Sequence, residues 1–219
     1  MCHDLHCESE IESSLMENLY LRIVSVDPGY VNFCIRIEDR PRNTQFPGLI
    51  KQIYCDVWNL GEDRSMNLTE KLFSISRLIE SADYFLVEKQ VEDNIKMLKT
   101  AQHVVSWVRS FFHGRTQRPK LIEFCPKAKL RAIKCPTTLN KRGYKSWTEE
   151  WAKKMFELRE DNDSLAIMSS RKKLDDVSDT LAQIEAFCIL ENFPTSTKIY
   201  SKQLIDDKYQ KYCGIAESR

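Results

Sequence analysis

Four acidic residues stand where chemistry could use them. Asp27 closes the apolar run Leu-Arg-Ile-Val-Ser-Val (Leu21 to Val26) and is followed by Pro28-Gly29. Glu88 closes a second run, Tyr-Phe-Leu-Val (Tyr84 to Val87). Asp176 and Asp179 lie three residues apart beside the apolar stripe Leu174, Val177, Leu181, Ile184 and Cys188. At about 100° per residue, they are roughly 60° apart on one side of a helix. Asp175 and Asp179 are four apart and face together almost as well, so spacing leaves Asp175 and Asp176 both open. Each acid has an ordinary reading: a turn aspartate before Pro-Gly, a rim glutamate paired with Lys89, a solvated first helical turn. Taken together they suggest another. Carboxylate oxygens are the hard ligands that Mg²⁺ prefers. Two such ions about 4 Å apart can activate a water and stabilise the leaving oxygen of a phosphodiester. That chemistry needs acids from separate elements converging on one spot.

The elements that would bring them together follow from patterning. Leu21 to Val26 is β-branched and apolar, the pattern of a buried strand. Pro28-Gly29 turns the chain, and Tyr30 to Ile37 gives a second strand. Arg40 to Gly48 reads as a loop and Leu49 to Trp58 as a third strand. Asn67 with Glu70 has the form of a capping box and opens a helix whose apolar face is Leu68, Leu72, Ile75, Leu78 and Ile79. Tyr84 to Val87 is a fourth strand. A long helix is expected over about 94–113, a fifth strand over Leu121 to Phe124, and a short helix over Lys127 to Ile133. Ser146 and Glu149 form another capping box, with a helix to about Arg159. Asp161 to Ser170 is polar and reads as a loop, and a last helix spans about 172–192. The order β-β-β-α-β-α-β-α predicts an α/β fold of ribonuclease H-like type: a central mixed five-stranded sheet flanked by helices.

Composition permits such a domain. The chain has 219 residues, 42% hydrophobic and 30% charged, with a formal net charge of +1. Attraction to nucleic acid must therefore come from uneven charge placement. Residues 1–21 hold Asp4, Glu8, Glu10, Glu12 and Glu17 and neither Lys nor Arg. Residues 124–148 hold Lys127, Lys129, Arg131, Lys134, Lys141, Arg142 and Lys145 and neither Asp nor Glu, a candidate phosphate-facing surface or a solvated basic face. The start of the chain lacks the basic and apolar regions of a secretory signal, and no apolar run approaches the ~20 residues that span a bilayer. An intracellular, reducing compartment with mostly free thiols is expected. Cys34, Cys55 and Cys188 sit in apolar patterns and read as core. Cys2, His3, His6 and Cys7 cluster at a spacing that matches no standard zinc template, and an acidic flexible leader is the plainer reading. The expected divisions are a leader over 1–18, a nuclease domain over 19–192 and a polar tail over 193–219.

The motifs resemble a known family. Val24-Ser25-Val26-Asp27-Pro28-Gly29 resembles the first motif of the RuvC-like Holliday junction resolvases, a strand Asp before a small-residue turn. Leu86-Val87-Glu88-Lys89-Gln90 resembles the second, and Asp176-Val177-Ser178-Asp179-Thr180-Leu181 the last. Lys172 and Lys173 are similar to basic residues found there in poxvirus and related large-DNA-virus resolvases. Asn94, Lys96, Met97 and Gln102 are similar to the family's junction-facing helix. Phe124-Cys125-Pro126-Lys127 with Lys129 is similar to the segment after the fifth strand. Residues 1–18, Thr137 to Ser170 and the C-terminal stretch have no family counterpart. Leu174-Asp175 stands where some members carry a His, so a His-assisted variant is not implied.

The resemblance implies a homodimer that grips branched DNA, four-way junctions above all, and nicks two symmetric strands with Mg²⁺ or Mn²⁺, two ions per site and no small-molecule cofactor. Asp27, Glu88, Asp176 and Asp179 would hold the metals. Gln90, Asn94, Lys127, Lys129, Lys172 and Lys173 would contact DNA, and Tyr30 would either stack on an opened base or sit in the core. A viral setting and no membrane are implied. The rival readings are another ribonuclease H-like nuclease acting on flap, duplex or RNA-DNA substrates, and a non-catalytic junction-binding protein.

Overall fold

The central strand, β1 (Tyr20–Asp27), is apolar on both faces, and the rest of the sheet is built around it. The structure, a computed structural model, describes residues 19–43, 49–170 and 175–200. The Cys2/His3/His6/Cys7 cluster, Lys172 and Lys173 lie outside the described residues. β2 (Asn32–Pro41) runs antiparallel to β1, and β3 (Lys51–Asn59) antiparallel to β2. β4 (Tyr84–Glu88) pairs parallel to β1 on its other side, and β5 (Lys120–Phe124) parallel to β4. The order β3-β2-β1-β4-β5 gives the mixed five-stranded sheet that the element order predicts.

The two faces of the sheet differ. On one face Val24, Val26, Phe33, Ile35, Ile37, Phe85 and Val87 pack under α1 (Arg64–Ser74), the short α2 (Ser76–Ile79) and α3 (Ile95–Phe111). That face is apolar, and its helices contribute Leu68, Leu72, Ile79, Val104, Val105 and Val108. The other face carries α4 (Pro126–Ala132), α5 (Lys141–Arg159), α6 (Asn162–Ser170) and α7 (Asp175–Leu190). Here Leu21, Ile23 and Leu86 meet Ala182, Ile184, Ala186 and Phe187 of α7.

On that second face β2 presents charge. Arg36, Glu38 and Arg40 alternate along the strand with their side chains fully buried. Glu38 accepts from Arg36 Nε at 2.5 Å, from Arg40 Nη2 at 2.7 Å and from Arg159 Nη1 at 2.7 Å. Arg40 also reaches Glu185 of α7 at 2.8 Å, Arg159 pairs with the same carboxylate, and Arg36 reaches Asp161 at 2.6 Å. Three guanidinium groups and three carboxylates thus tie β2, α5 and α7 together, together with the α5–α6 junction where Asp161 lies. Burial alone would push Glu38 up, but Arg159, Arg40 and Arg36 overcome it and hold the carboxyl well below its ordinary range.

Several boundaries differ from those read in sequence, each for a local reason. α1 starts at Arg64 because Asp63 caps it, accepting from the Met66 backbone N–H. The Asn67 amide instead donates to the Leu60 carbonyl at 2.8 Å. α5 starts at Lys141 under an Asn140 cap rather than at Ser146. The stretch 162–170 is helix and not loop: Asp161 accepts from the Ser164 N–H at 3.0 Å and is itself anchored by Arg36. β2 begins only at Asn32, so Tyr30 lies in the turn and is half-buried. Residues 193–200, past the boundary at 192, pack onto the domain. Ser196 is fully buried, donating its backbone N–H to Glu185 and accepting from Arg159 Nε at 2.7 Å.

Glu38→Ala should cost about 3–5 kcal/mol in urea unfolding, since it leaves buried guanidinium groups without their partner. The depressed Glu38 carboxyl also fixes a sign. Its stabilisation is present above the unfolded-state value of about 4.3 and is lost as pH falls through the lower folded value. Unfolding followed between pH 6 and pH 2 should show that loss in the wild type and not in Glu38→Ala.

Candidate active site

Register places the first two acids. Val26 pairs with Val87 across the parallel β1–β4 ladder, so Asp27 and Glu88, one residue on, end neighbouring strands at the same sheet edge. Alternation then sets their direction. Ile23 and Leu86 face α7, and Asp27 and Glu88 lie on that same side. The turn after Asp27 is tight: Gly29 donates its N–H to the Asp27 carbonyl at 2.9 Å. A Cβ at Gly29 would come within 1.9 Å of the Asn32 carbonyl oxygen, so only glycine fits.

The second pair arrives on α7. Ser25, two residues before Asp27, donates its hydroxyl to the Thr180 carbonyl at 3.1 Å and fixes the first turns of the helix over the end of β1. Asp179 and Asp176 then bear on Asp27. Asp27 is 9% exposed, and burial pushes its carboxyl well above the ordinary range. Glu88, Asp179 and Asp176 push it further in the same direction, and Lys129 opposes them. Of the two aspartates that spacing left open, Asp176 adds to the charge felt by Asp27, whereas Asp175 forms an ion pair with Lys145 of α5.

Lys129 lies at the centre of the group. It stands on α4, which Pro126 starts, and is 3% exposed. Its ammonium donates to Glu88 Oε2 at 2.5 Å and to Asp179 Oδ1 at 2.7 Å. Burial alone would lower its pKa, but Asp179 and Glu88 raise it above the usual lysine value, so it is a fixed cation. Expected from sequence on a phosphate-facing surface, Lys129 is instead turned inward to the acids. Lys127 on the same short helix is exposed. Gln90 is half-buried, its amide 3.3 Å from the Glu88 carbonyl, and Asn94 is exposed and caps α3 by accepting from the Met97 N–H.

Two residues near the acids were not singled out as site residues in sequence. Lys145 holds Asp175, and Glu149, one turn further along α5, has its carboxyl raised by burial and by Asp175, with Lys145 opposing and Asp179 adding. The Ser146/Glu149 capping pattern drew attention to Glu149 for a local reason that the fold does not use.

The donor set tests the implied metal. Four carboxylates share the site with one lysine that touches two of them, an excess of negative charge made of hard oxygen donors, which fits a divalent cation. In these rotamers no three Asp, Glu, His or Cys side chains among the described residues close tightly enough to hold an ion. The position between Glu88 and Asp179 is bridged by the Lys129 ammonium.

No family model matches the chain. An uncharacterized protein, 97L, of invertebrate iridescent virus 3 is 26% identical over 130 residues, 58% of this chain and 60% of its own length. The chain therefore spans about three fifths of the relative it matches. Among solved structures, the fowlpox virus resolvase, determined with substrate Holliday junction DNA, superposes with a TM-score of 0.53 at 18% identity, covering 78% of this chain and 98% of that one. The yeast mitochondrial Holliday junction resolvase Ydc2 gives 0.53 at 14%, covering 86% of each chain, and Thermus thermophilus RuvC 0.51 at 13%, covering 79% and 98%. The fold is that of the RuvC-like resolvases. Within this resolvase fold the four acids lie at the ends of β1 and β4 and on the first turns of α7. Among the described residues no helix is long and apolar enough to cross a membrane.

The raised Asp27 carboxyl predicts a stability trade. Between the ordinary carboxylate value and the folded one, the folded chain binds a proton that the unfolded chain does not, so stability falls as pH rises. Asp27→Asn should therefore raise stability at pH 7 by about 0.5–2 kcal/mol, a usual scale for relieving a strained site. The gain should shrink toward pH 4 in thermal melts run in EDTA.

Proposed function

We propose that this protein is a metal-dependent DNA endonuclease that resolves four-way junctions by paired nicks. The observation that carries the reading is the convergence of Asp27, Glu88, Asp176 and Asp179 from two strand ends and one helix, on a resolvase-type sheet. Asp27, Glu88, Asp176 and Asp179 would hold two Mg²⁺ or Mn²⁺ ions. Such ions supply a Lewis acid and lower the pKa of bound water. The chain's own residues do the rest. The β1–β4 register and the Gly29 turn fix the first two carboxylates, and the Ser25–Thr180 hydrogen bond fixes the helix that brings the other two. Lys129 orients Glu88 and Asp179 and offsets the repulsion that raises Asp27. Lys127, Arg131 and Lys134 are exposed on and just after α4 and would position the backbone of the DNA. Gln90 and Asn94 stand at the start of the segment that follows Glu88, where they too would meet DNA, and Lys172 and Lys173 come shortly before α7 in the sequence, with Leu174 between. A homodimer would give one acid centre to each of two symmetric strands. The named structural relatives act on Holliday junctions, and the viral relatives suit a role in branched replication intermediates.

The inward-turned Lys129 favours one rival specifically, a junction-binding protein that no longer cuts. One experiment separates them. A synthetic four-way junction and a matched linear duplex are incubated with the protein, with and without Mg²⁺ or Mn²⁺. Symmetric nicks confined to the junction are expected. Binding without cutting in either metal would sink the nuclease reading, and cutting of linear duplex alone would point to a different nuclease. Asp27→Asn and Glu88→Gln should each lose more than the roughly 10–100-fold that removing a partner outside the ligand shell costs. Both should bind the junction as the wild type does.

A further inference from the structure

Beside the acid centre, on the other face of the same sheet edge, two cations share one aromatic ring. Tyr30 stands in the turn three residues after Asp27. The Arg64 guanidinium carbon lies 4.1 Å from its ring centroid and the Lys96 ammonium 5.1 Å from it. Arg64 is the first residue of α1, and Lys96 the second of α3. Topology makes them meet. β3 ends at the edge where β1 ends, because Asn32 pairs with Asn59, and β4 ends there too, so the helices that follow β3 and β4 both start at this rim.

The arrangement is electrostatically one-sided. A helix N-terminus is already a positive pole, and cations there are disfavoured. Neither α1 nor α3 has an acid in its first turn. Glu62, Asp63, Glu92 and Asp93 precede the helices in sequence, yet among the described residues neither Arg64 nor Lys96 has a carboxylate partner. Asp63 uses its carboxylate on the Met66 N–H. Arg64 Nε is buried and donates no hydrogen bond, and Nη1 makes only a long contact of 3.4 Å to the Glu62 carbonyl. The ring's negative face offsets the repulsion between the two cations. Two helix starts and two cations without a carboxylate partner among the described residues thus meet at one rim of the sheet. An anion with several oxygens can meet both cationic heads at once.

We propose that Tyr30, Arg64 and Lys96 form a phosphate clamp for the DNA strand that enters the acid centre, holding a backbone phosphodiester next to the one that is cut. The proposal rests on the nuclease reading and extends it. Tyr30 organises the clamp, and Arg64 and Lys96 contact the phosphate.

The test is binding of a fluorescein-labelled four-way junction in EDTA, read by anisotropy across a salt series. Each phosphate contact contributes about 0.9 to the slope of log K against log salt. The double variant Arg64→Ala/Lys96→Ala should therefore flatten the slope by roughly 1.8. Lys153→Ala, on the exposed side of α5, serves as the control and should leave the slope unchanged. Tyr30→Leu keeps both charges but should weaken binding about two- to fivefold, the worth of an exposed cation–π contact, and Tyr30→Phe should restore it. Thermal melts identify any variant that has lost its fold, and Lys96→Ala, at an exposed side chain, gives the single-contact slope independently. An unchanged slope in the double variant, with wild-type binding intact, overturns the clamp and leaves the nuclease reading standing. Tyr30→Leu behaving as wild type removes the ring from the proposal. Failure of the wild type to bind any DNA brings down both.

Discussion

Charge buried beneath α7 governs this fold. One face of the sheet is closed mainly by hydrophobic packing. The other must accommodate Arg36, Glu38 and Arg40 in the middle of β2. Isolated charges there would cost many kcal/mol, so each needs a partner from an element above the sheet. Those partners are Glu185 on α7, Arg159 at the end of α5 and Asp161 between α5 and α6. The network therefore adds pairing to apolar packing in fixing where α5 and α7 sit. α7 is locked at its middle by Glu185 and near its start by the Ser25–Thr180 hydrogen bond. Its first turns, with Asp176 and Asp179, are thereby held over the ends of β1 and β4.

The same helix links stability to chemistry. An acid cluster is self-repelling, and Asp27 shows it in a carboxyl driven up by burial and by its neighbours. The domain tolerates the cluster because rigid elements surround it. The Gly29 turn allows no Cβ, β1 and β4 are paired in register, and α7 is fixed at two points.

Much of this was legible in the sequence. Strand-ending acids after apolar runs are visible as residues, and so is the i, i+3 pair beside a helical stripe. Five strands and the order of the long helices follow from periodicity. What escaped reading depends on tertiary pairing. Asp161 to Ser170 looks like a polar loop because its anchors, Arg36 and Gln52, are more than a hundred residues away in sequence. Asn67 and Ser146 carry cap-like patterns, but Asp63 and Asn140 cap instead, since local patterns do not show which polar group is free. Arg36, Glu38 and Arg40 read as a strand merging into a polar loop, whereas opposite charges from other elements bury them. Lys129 belongs to a basic run, and nothing local separates the one lysine that turns inward from the exposed ones around it.

That inward lysine changes what metal would mean to this molecule. A small zinc domain folds around its ion and is unstructured without it. Here the protein supplies a cation of its own, with Lys129 held between Glu88 and Asp179. Any divalent ion that these carboxylates would hold would share Glu88 and Asp179 with that ammonium. Affinity at such a site would be a difference between two attractions to the same carboxylates.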